Sequence, residues 1–432
     1  MSMQQTIQSV AGPIHAKIIL PGSKAITKRA LLLSALAEGV SEISGISINS
    51  ATLAMIKALH QLGIAIQLDE QSKSCIIAGG GGKFPKKQAT VWCEKSQAIF
   101  QYLLASCAAS GGVYYFDGPA PFAEKTSMQL LNILIRQGIQ LIPSDVKKMP
   151  FTLVGAESLD GSEVTFNKPL HHEIVSALLM ITPFARSPFT IHLPDGMDHP
   201  NIDMTCTMMA EYGVLVHRVH QAQLMVPIPQ RYQAKDYTVE PDFALAAYFF
   251  AAAAVTGGEI SIQPTKHSLS KQPSSKFISI LEKMGCHVLE THTGLTIQGR
   301  EKLQGIEVSM RKFSDTFLAL VAIAPFAKSA TRIAHIGNIC QKEHERMIAI
   351  KGGLIKMGVH VETGNDWIKI FPTTPKACSL NILSDYRLGM AFAIIGLKVP
   401  GITIENSEGI KNIYPDFFKI WNHLGEDINI NA

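Results

Sequence analysis

Six times along the chain, a run of small and apolar residues with helical periodicity closes at Gly or Ser. The runs are ALLLSALAEG to Gly39, LLASCAASGG to Gly112, LLMITPFARS to Ser187, FFAAAAVTGG to Gly258, LVAIAPFAKS to Ser329 and AFAIIGLKVPG to Gly401. After each comes a segment with period-two alternation: VSEISGI, VYYFDG, FTIHLP, EISIQP, ATRIAHI and ITIEN. Such alternation predicts a strand with one buried face. A second helical pattern follows and stops at Gly63, Gly138, Gly213, Gly285, Gly358 and Gly425, where glycine supplies the left-handed residue that ends a helix. Short strands such as IAIQL, VLVH, HVLE and VHVE come next. The repeat is about 70–75 residues long, longer than the common solenoid periods.

Six α/β units over 432 residues exceed what one hydrophobic core holds, so two domains of three repeats are expected. The segment TVEPDF, with a helix-breaking proline at Pro241, lies midway and reads as the crossover. We expect the boundaries at residues 22–239 for one lobe and residues 1–21 plus 240–432 for the other.

Composition narrows the class. At 47% hydrophobic and 17% charged residues, the chain is that of a globular protein. A net charge of +4 without any block of five or six basic residues argues against nucleic acid as partner and suits small anionic substrates. The longest apolar run, residues 243–255, is shorter than the roughly 20 residues a bilayer requires and reads as a buried helix. The start Met1-Ser2-Met3-Gln4 carries no secretory pattern. The seven cysteines include no C-x-x-C pair, so a reduced, cytoplasmic protein is expected, with no membrane association.

Specific motifs then enter in order. Residues 21–33, Pro21-Gly22-Ser23-Lys24-Ala25-Ile26-Thr27-Lys28-Arg29-Ala30-Leu31-Leu32-Leu33, resemble the P-G-S-K-S-x-x-x-R-A-L-L-L motif of the 5-enolpyruvylshikimate-3-phosphate synthases. Asn338, Lys342, Glu343 and Arg346 fit that family's N-x-x-x-K-E-x-x-R. Asp385, Arg387 and Met390 fit D-H-R-x-x-M, and KNIYPDFF from Lys411 fits the closing K-x-x-P-D-F-F. Asp315 stands where the family places an acid. The resemblance spans nearly the whole chain. It implies an α/β fold of two similar domains, each of three βαβαββ repeats in the inside-out barrel arrangement, with the N-terminal strand joined to the C-terminal half.

The implied reaction moves the enolpyruvyl group of phosphoenolpyruvate to a hydroxyl of shikimate 3-phosphate, without metal or cofactor, in a monomer. A compact dianion calls for cations, preferably Arg forks. The resemblance assigns these to Arg346, Arg387, Lys411 and Lys24, with Lys125 near another family arginine. Asn338 joins them as a substrate-binding residue. It makes Glu343 the acid/base at carbon 3, with Lys24 sharing proton transfer. Asp315 would orient or deprotonate the acceptor hydroxyl, and Lys342 and Arg29 would face the acceptor. From spacing alone, Glu343 and Arg346 also fit an ordinary helix-surface ion pair.

The N-terminal half departs from the family pattern. The glycine-rich G-N-A-G-T-x-x-R becomes Glu94-Lys95-Ser96-Gln97-Ala98-Ile99-Phe100-Gln101, which puts a Gln97 side chain where close backbone approach is expected. The S-S-Q that binds the acceptor phosphate becomes His171-His172-Glu173. A later Ser and Tyr become Asp198 and Asn201, Ala25 replaces a Ser, and Tyr386 replaces a His. Glu173 and Asp198 are expected to repel a phosphate unless offset. Adjacent histidines on a helix point in different directions and no H-x-x-x-H spacing occurs, so a re-specialised pocket is expected rather than a metal site. Three readings follow: a working 5-enolpyruvylshikimate-3-phosphate synthase, a related transferase with another acceptor alcohol, or a catalytically weak paralogue that binds a ligand. The sister family that uses UDP-N-acetylglucosamine is disfavoured, because residues 118–125 hold no cysteine and Cys107 reads as core.

Overall fold

The computed structural model describes residues 3–119, 125–166, 171–194, 199–265, 267–336, 341–383, 385–426 and 428–430, without the side chains of residues 125, 126, 341–343 and 428–430. The chain divides into two compact units. Gly22–Glu240 forms the N-terminal unit, and Pro241–Ala432 with the residues up to Pro21 forms the C-terminal unit.

The alternating segments are strands, and among the described residues they form six sheets, three per unit. The second repeat shows the pattern. Gln88–Trp92 lies parallel to Gly112–Asp117, with Gln88 opposite Val113. Phe151–Gly155 then pairs antiparallel with Gly112–Asp117, and Gln140–Ile142 closes the edge. In Gly112–Asp117, Tyr114 and Phe116 are buried while Val113 and Tyr115 are exposed, as period-two alternation requires. The third repeat repeats this order with Glu163–Thr165, Phe189–His192, Gln223–Val226 and His217–His220. The fifth does so with Glu307–Ser309, Thr331–Ala334, Trp367–Ile370 and Val361–Thr363.

The remaining repeats borrow strands from afar. Tyr237–Thr238 fills the first position beside Val40–Ser44. His15–Ile18 does the same beside Glu259–Ile262, and Gln4–Thr6 pairs antiparallel with Thr403–Glu405. Both N-terminal strands therefore belong to the C-terminal unit.

The first helix of each repeat is almost wholly buried. Phe243–Thr256 is buried at every residue but Ala244, starts from an Asp242 cap and ends at left-handed Gly257. It packs on Phe317–Ile323 and Tyr386–Lys398, which pack on each other. These helices carry hydrophobic residues on all sides because sheets or sister helices surround them. Repeats three and five share a finer detail. Their helices run into short 3-10 turns at Thr182–Phe184 and Ala324–Phe326, after which Ala185 and Ala327 bridge to Leu159 and Leu303. The second-helix glycines 63, 138, 213, 285 and 358 all take positive φ, whereas Gly425 does not. Among the described residues, no helix is long and apolar enough to cross a membrane.

Candidate active site

In the C-terminal unit the site is built at the start of the Tyr386–Lys398 helix. Asp385 caps it, its Oδ1 accepting from the Arg387 backbone N–H at 2.9 Å. The other carboxylate oxygen accepts from Arg346 Nε at 2.7 Å. One aspartate thus caps the start of a helix and aims an arginine from the Gln341–Lys356 helix. The Arg346 side chain is 6% exposed and that of Asp385 15%, so this is a charge-assisted pair shielded from water. Arg387 donates from Nη1 to Asp315 Oδ1 and from Nε to the Tyr386 hydroxyl at 3.1 Å. Asp315 sits in the 3-10 turn Ser314–Thr316 that precedes a buried helix, and its side chain is 40% exposed. Below them lies Tyr248, 1% exposed, whose hydroxyl finds no hydrogen-bond partner among the described residues. Burial raises its pKa above the ordinary phenol value of 10.0, while Arg387 and Arg346 pull it back.

The fold therefore brings Asp315, Arg346 and Arg387 together. Lys411, itself exposed, ends the short helix Glu408–Lys411, whose Gly409 and Ile410 are buried. Its neighbour Ile410 packs so closely on Gly389 that a methyl there would lie 2.5 Å from Ile410 Cδ1. Asn338 and the side chains of Lys342, Glu343 and Lys125 lie outside the described residues, as does Asp198.

In the N-terminal unit, Ser23 caps the Lys24–Leu36 helix and its backbone N–H donates to Glu240 O at 2.9 Å. Lys24 is half-buried at the first helical position. A cation there opposes the helix dipole. Arg29 is 1% exposed. Its guanidinium donates to Thr205 Oγ1 at 2.7 Å, Ala25 O at 3.0 Å and Ser176 Oγ at 3.2 Å, and it lies over the Tyr102 ring at 5.6 Å. Arg29 is thus a buried tie between helices, with its N–H groups turned onto protein atoms.

Above it, Lys28 Nζ lies 3.4 Å from Glu173 Oε1, with side chains 16% and 14% exposed. Burial opposes ionisation of Glu173, and Lys28, His171 and Arg29 outweigh it, so the carboxyl stays below its ordinary 4.5. The offset that a phosphate would need is therefore present for Glu173. His171 caps the His172–Ile181 helix through Nδ1, and His199 caps Pro200–Glu211 in the same way. The His172 ring lies between them, 4.5 Å from His171 and 4.2 Å from His199 by centroid. Asn201 Nδ2 lies 3.0 Å from His172 Nε2. Among the described residues, no group of three or more His, Cys, Asp or Glu is disposed to hold a metal.

Where the family carries its glycine-rich turn, Gln97–Ala108 begins as an ordinary helix. Ser96 at its cap has φ −125° and ψ 104°, backbone any residue adopts. Gln101 is fully buried, and its amide N and O lack partners among the described residues.

Spacing along the chain gave no sign of the Asp385–Arg346 pair, the Lys28–Glu173 pair, or Tyr248 beneath the arginines. The one available signal was Asp385 itself, which stands inside a recognised motif.

Comparison with known proteins shows the family. The sequence model of the EPSP synthase (3-phosphoshikimate 1-carboxyvinyltransferase) family matches residues 9–421. A 3-phosphoshikimate 1-carboxyvinyltransferase of Trichormus variabilis is 36% identical over 415 residues, covering 95% of this chain and 97% of that protein. One from Colwellia psychrerythraea is 31% identical over 421 residues, covering 96% and 98%. In fold, the chain resembles EPSP synthase from Acinetobacter baumannii, with TM-score 0.85 at 20% identity and full coverage of both chains. It also resembles the enolpyruvyl transferase NikO from Streptomyces tendae, with TM-score 0.76 at 15% identity and coverage of 98% and 97%.

Proposed function

Because the chain belongs to the EPSP synthase family, we propose that it transfers the enolpyruvyl group of phosphoenolpyruvate to a hydroxyl of shikimate 3-phosphate and releases phosphate. The observation that carries this reading is the Arg346–Asp385 and Arg387–Asp315 arrangement, two oriented guanidiniums with a half-exposed carboxylate beside one of them. Guanidinium forks suit the phosphate and carboxylate of a small enol ester.

In this reading Glu343 delivers a proton to carbon 3 while Asp315 takes the proton of the attacking hydroxyl, and the carbon–oxygen bond forms at carbon 2. Phosphate then leaves with its electron pair as carbon 3 returns its proton to Glu343. The family resemblance further assigns Lys24, Lys411, Asn338, Lys342 and Lys125 to substrate binding. Arg29 contributes from beneath the surface by fixing the Ser176 and Thr205 helices.

A second reading, an enolpyruvyl transferase with another acceptor alcohol, is favoured by one observation. Imidazoles and Glu173 occupy the S-S-Q positions. A third, a weak paralogue that only binds ligands, is favoured by the lost glycine turn. Phosphate release from phosphoenolpyruvate separates them. Release with shikimate 3-phosphate supports the first, release only with shikimate or another alcohol supports the second, and none with any acceptor supports the third. Glu343→Gln is expected to lower kcat at least about a hundredfold. Unchanged turnover would remove Glu343 from its role.

A further inference from the structure

The two arginines at the start of the Tyr386–Lys398 helix are held by the same atom. Arg346 donates from Nε to Asp385 Oδ2 at 2.7 Å, and Arg387 donates from Nε to the Tyr386 hydroxyl oxygen at 3.1 Å. Nε carries one hydrogen, so a guanidinium held there cannot offer its Nε–Nη2 edge to a ligand. Its outer Nη1–Nη2 edge is then the fork it presents. Arg387 Nη1, with two hydrogens, also donates to Asp315 Oδ1.

The contact between Tyr386 and Arg387 does not follow from helical spacing. Neighbours on a helix do not face each other, yet these side chains converge from its first two positions. Asp385 fixes the backbone under them by accepting from the Arg387 N–H at 2.9 Å. The half-buried Tyr386 ring packs against the core of the C-terminal unit, which leaves its oxygen at a fixed point. The Arg387 guanidinium carbon lies 5.7 Å from the centre of that ring, within cation–π range. The family motif has His at this position, and a phenol oxygen stands further from its backbone than either imidazole nitrogen.

We propose that Tyr386 is a positioning residue: its phenol oxygen holds Arg387 by Nε, so that the outer Nη edge of the guanidinium faces the anion of phosphoenolpyruvate. This deepens the transferase reading and rests on it. An anion on that edge lies beside Asp315, the carboxylate that takes the hydroxyl proton in the same reading. Without the phenol oxygen the guanidinium keeps its charge and its ring contact but loses its fixed orientation. The loss falls on holding phosphoenolpyruvate and leaves proton transfer and the acceptor untouched.

The test is Tyr386→Phe in the full chain, which removes the oxygen and keeps the ring against the core. Phosphate release with shikimate 3-phosphate gives kcat and both KM values, and calorimetric titration with phosphoenolpyruvate gives a Kd that does not depend on turnover. Losing one hydrogen bond to a charged donor is expected to raise the KM and Kd for phosphoenolpyruvate about fivefold. The kcat, the KM for shikimate 3-phosphate and the melting temperature are expected to stay unchanged.

An unchanged KM and Kd for phosphoenolpyruvate overturn the proposal. So does a fall in kcat alone, which would place Tyr386 at the reacting atoms. Equal losses for both substrates together with a lower melting temperature also overturn it, because they mark a structural role. If the natural chain binds phosphoenolpyruvate but releases no phosphate with any acceptor, the transferase reading falls and Kd alone decides. A fivefold weaker Kd in Tyr386→Phe then leaves the positioning role standing.

Discussion

Asp385 shows how much one side chain can hold. It caps a helix with one oxygen and orients Arg346 with the other. Asp385→Asn keeps the cap, since Asn caps as well as Asp, but removes the charge that aims the arginine. We expect kcat/KM to fall about 10–100-fold with little change in melting temperature; a large loss of stability with intact kcat/KM would contradict this. Glu173 makes a pH prediction. Its folded pKa is depressed below the ordinary 4.5, so its contribution is present above that value and is lost as pH falls toward the folded pKa. Each unit of pH in that window costs at most about 1.4 kcal/mol per group. Denaturant titrations between pH 6 and 3 are expected to show a shallower acid loss in Glu173→Gln than in the natural chain.

At the scale of the element, the recurring device is a tight turn that feeds a buried helix. Gly22 stands in such a turn. A methyl group there would lie 1.9 Å from Gly45 O and 2.8 Å from a Val239 methyl carbon. Backbone cannot yield cheaply at that distance, so Gly22→Ala is expected to destabilise by more than about 2 kcal/mol. Thermal unfolding measures this, and a shift smaller than 2 °C would show that the turn relaxes. The same turn delivers Ser23 to its cap and Lys24 to the first helical position.

For the whole molecule, the borrowed strands matter most. Gln4–Thr6 and His15–Ile18 complete two sheets of the C-terminal unit, and a side chain on Gly396 would collide with Ile7. Residues 22–240 expressed alone are expected to unfold cooperatively. Residues 241–432 alone are expected to lack native near-ultraviolet dichroism until residues 1–21 are supplied by a linker. Cooperative unfolding of the bare 241–432 fragment would contradict the assignment.

The repeats, the alternation of helix and strand, and the order of motifs were all readable along the chain, because each rests on local periodicity and on turn residues such as Gly63 and Gly213. Arg346 and Arg387 stood out along the chain because they sit in compact motifs. The tertiary structure alone decided which carboxylate each arginine meets, since Asp385 lies 39 residues from Arg346 and Asp315 lies 72 from Arg387. It also decided that Arg29 is enclosed and that His199 completes a stack begun at His171. Such pairings depend on how separate helices pack, and the free energy of burying a charge is settled only once its distant partners are in place.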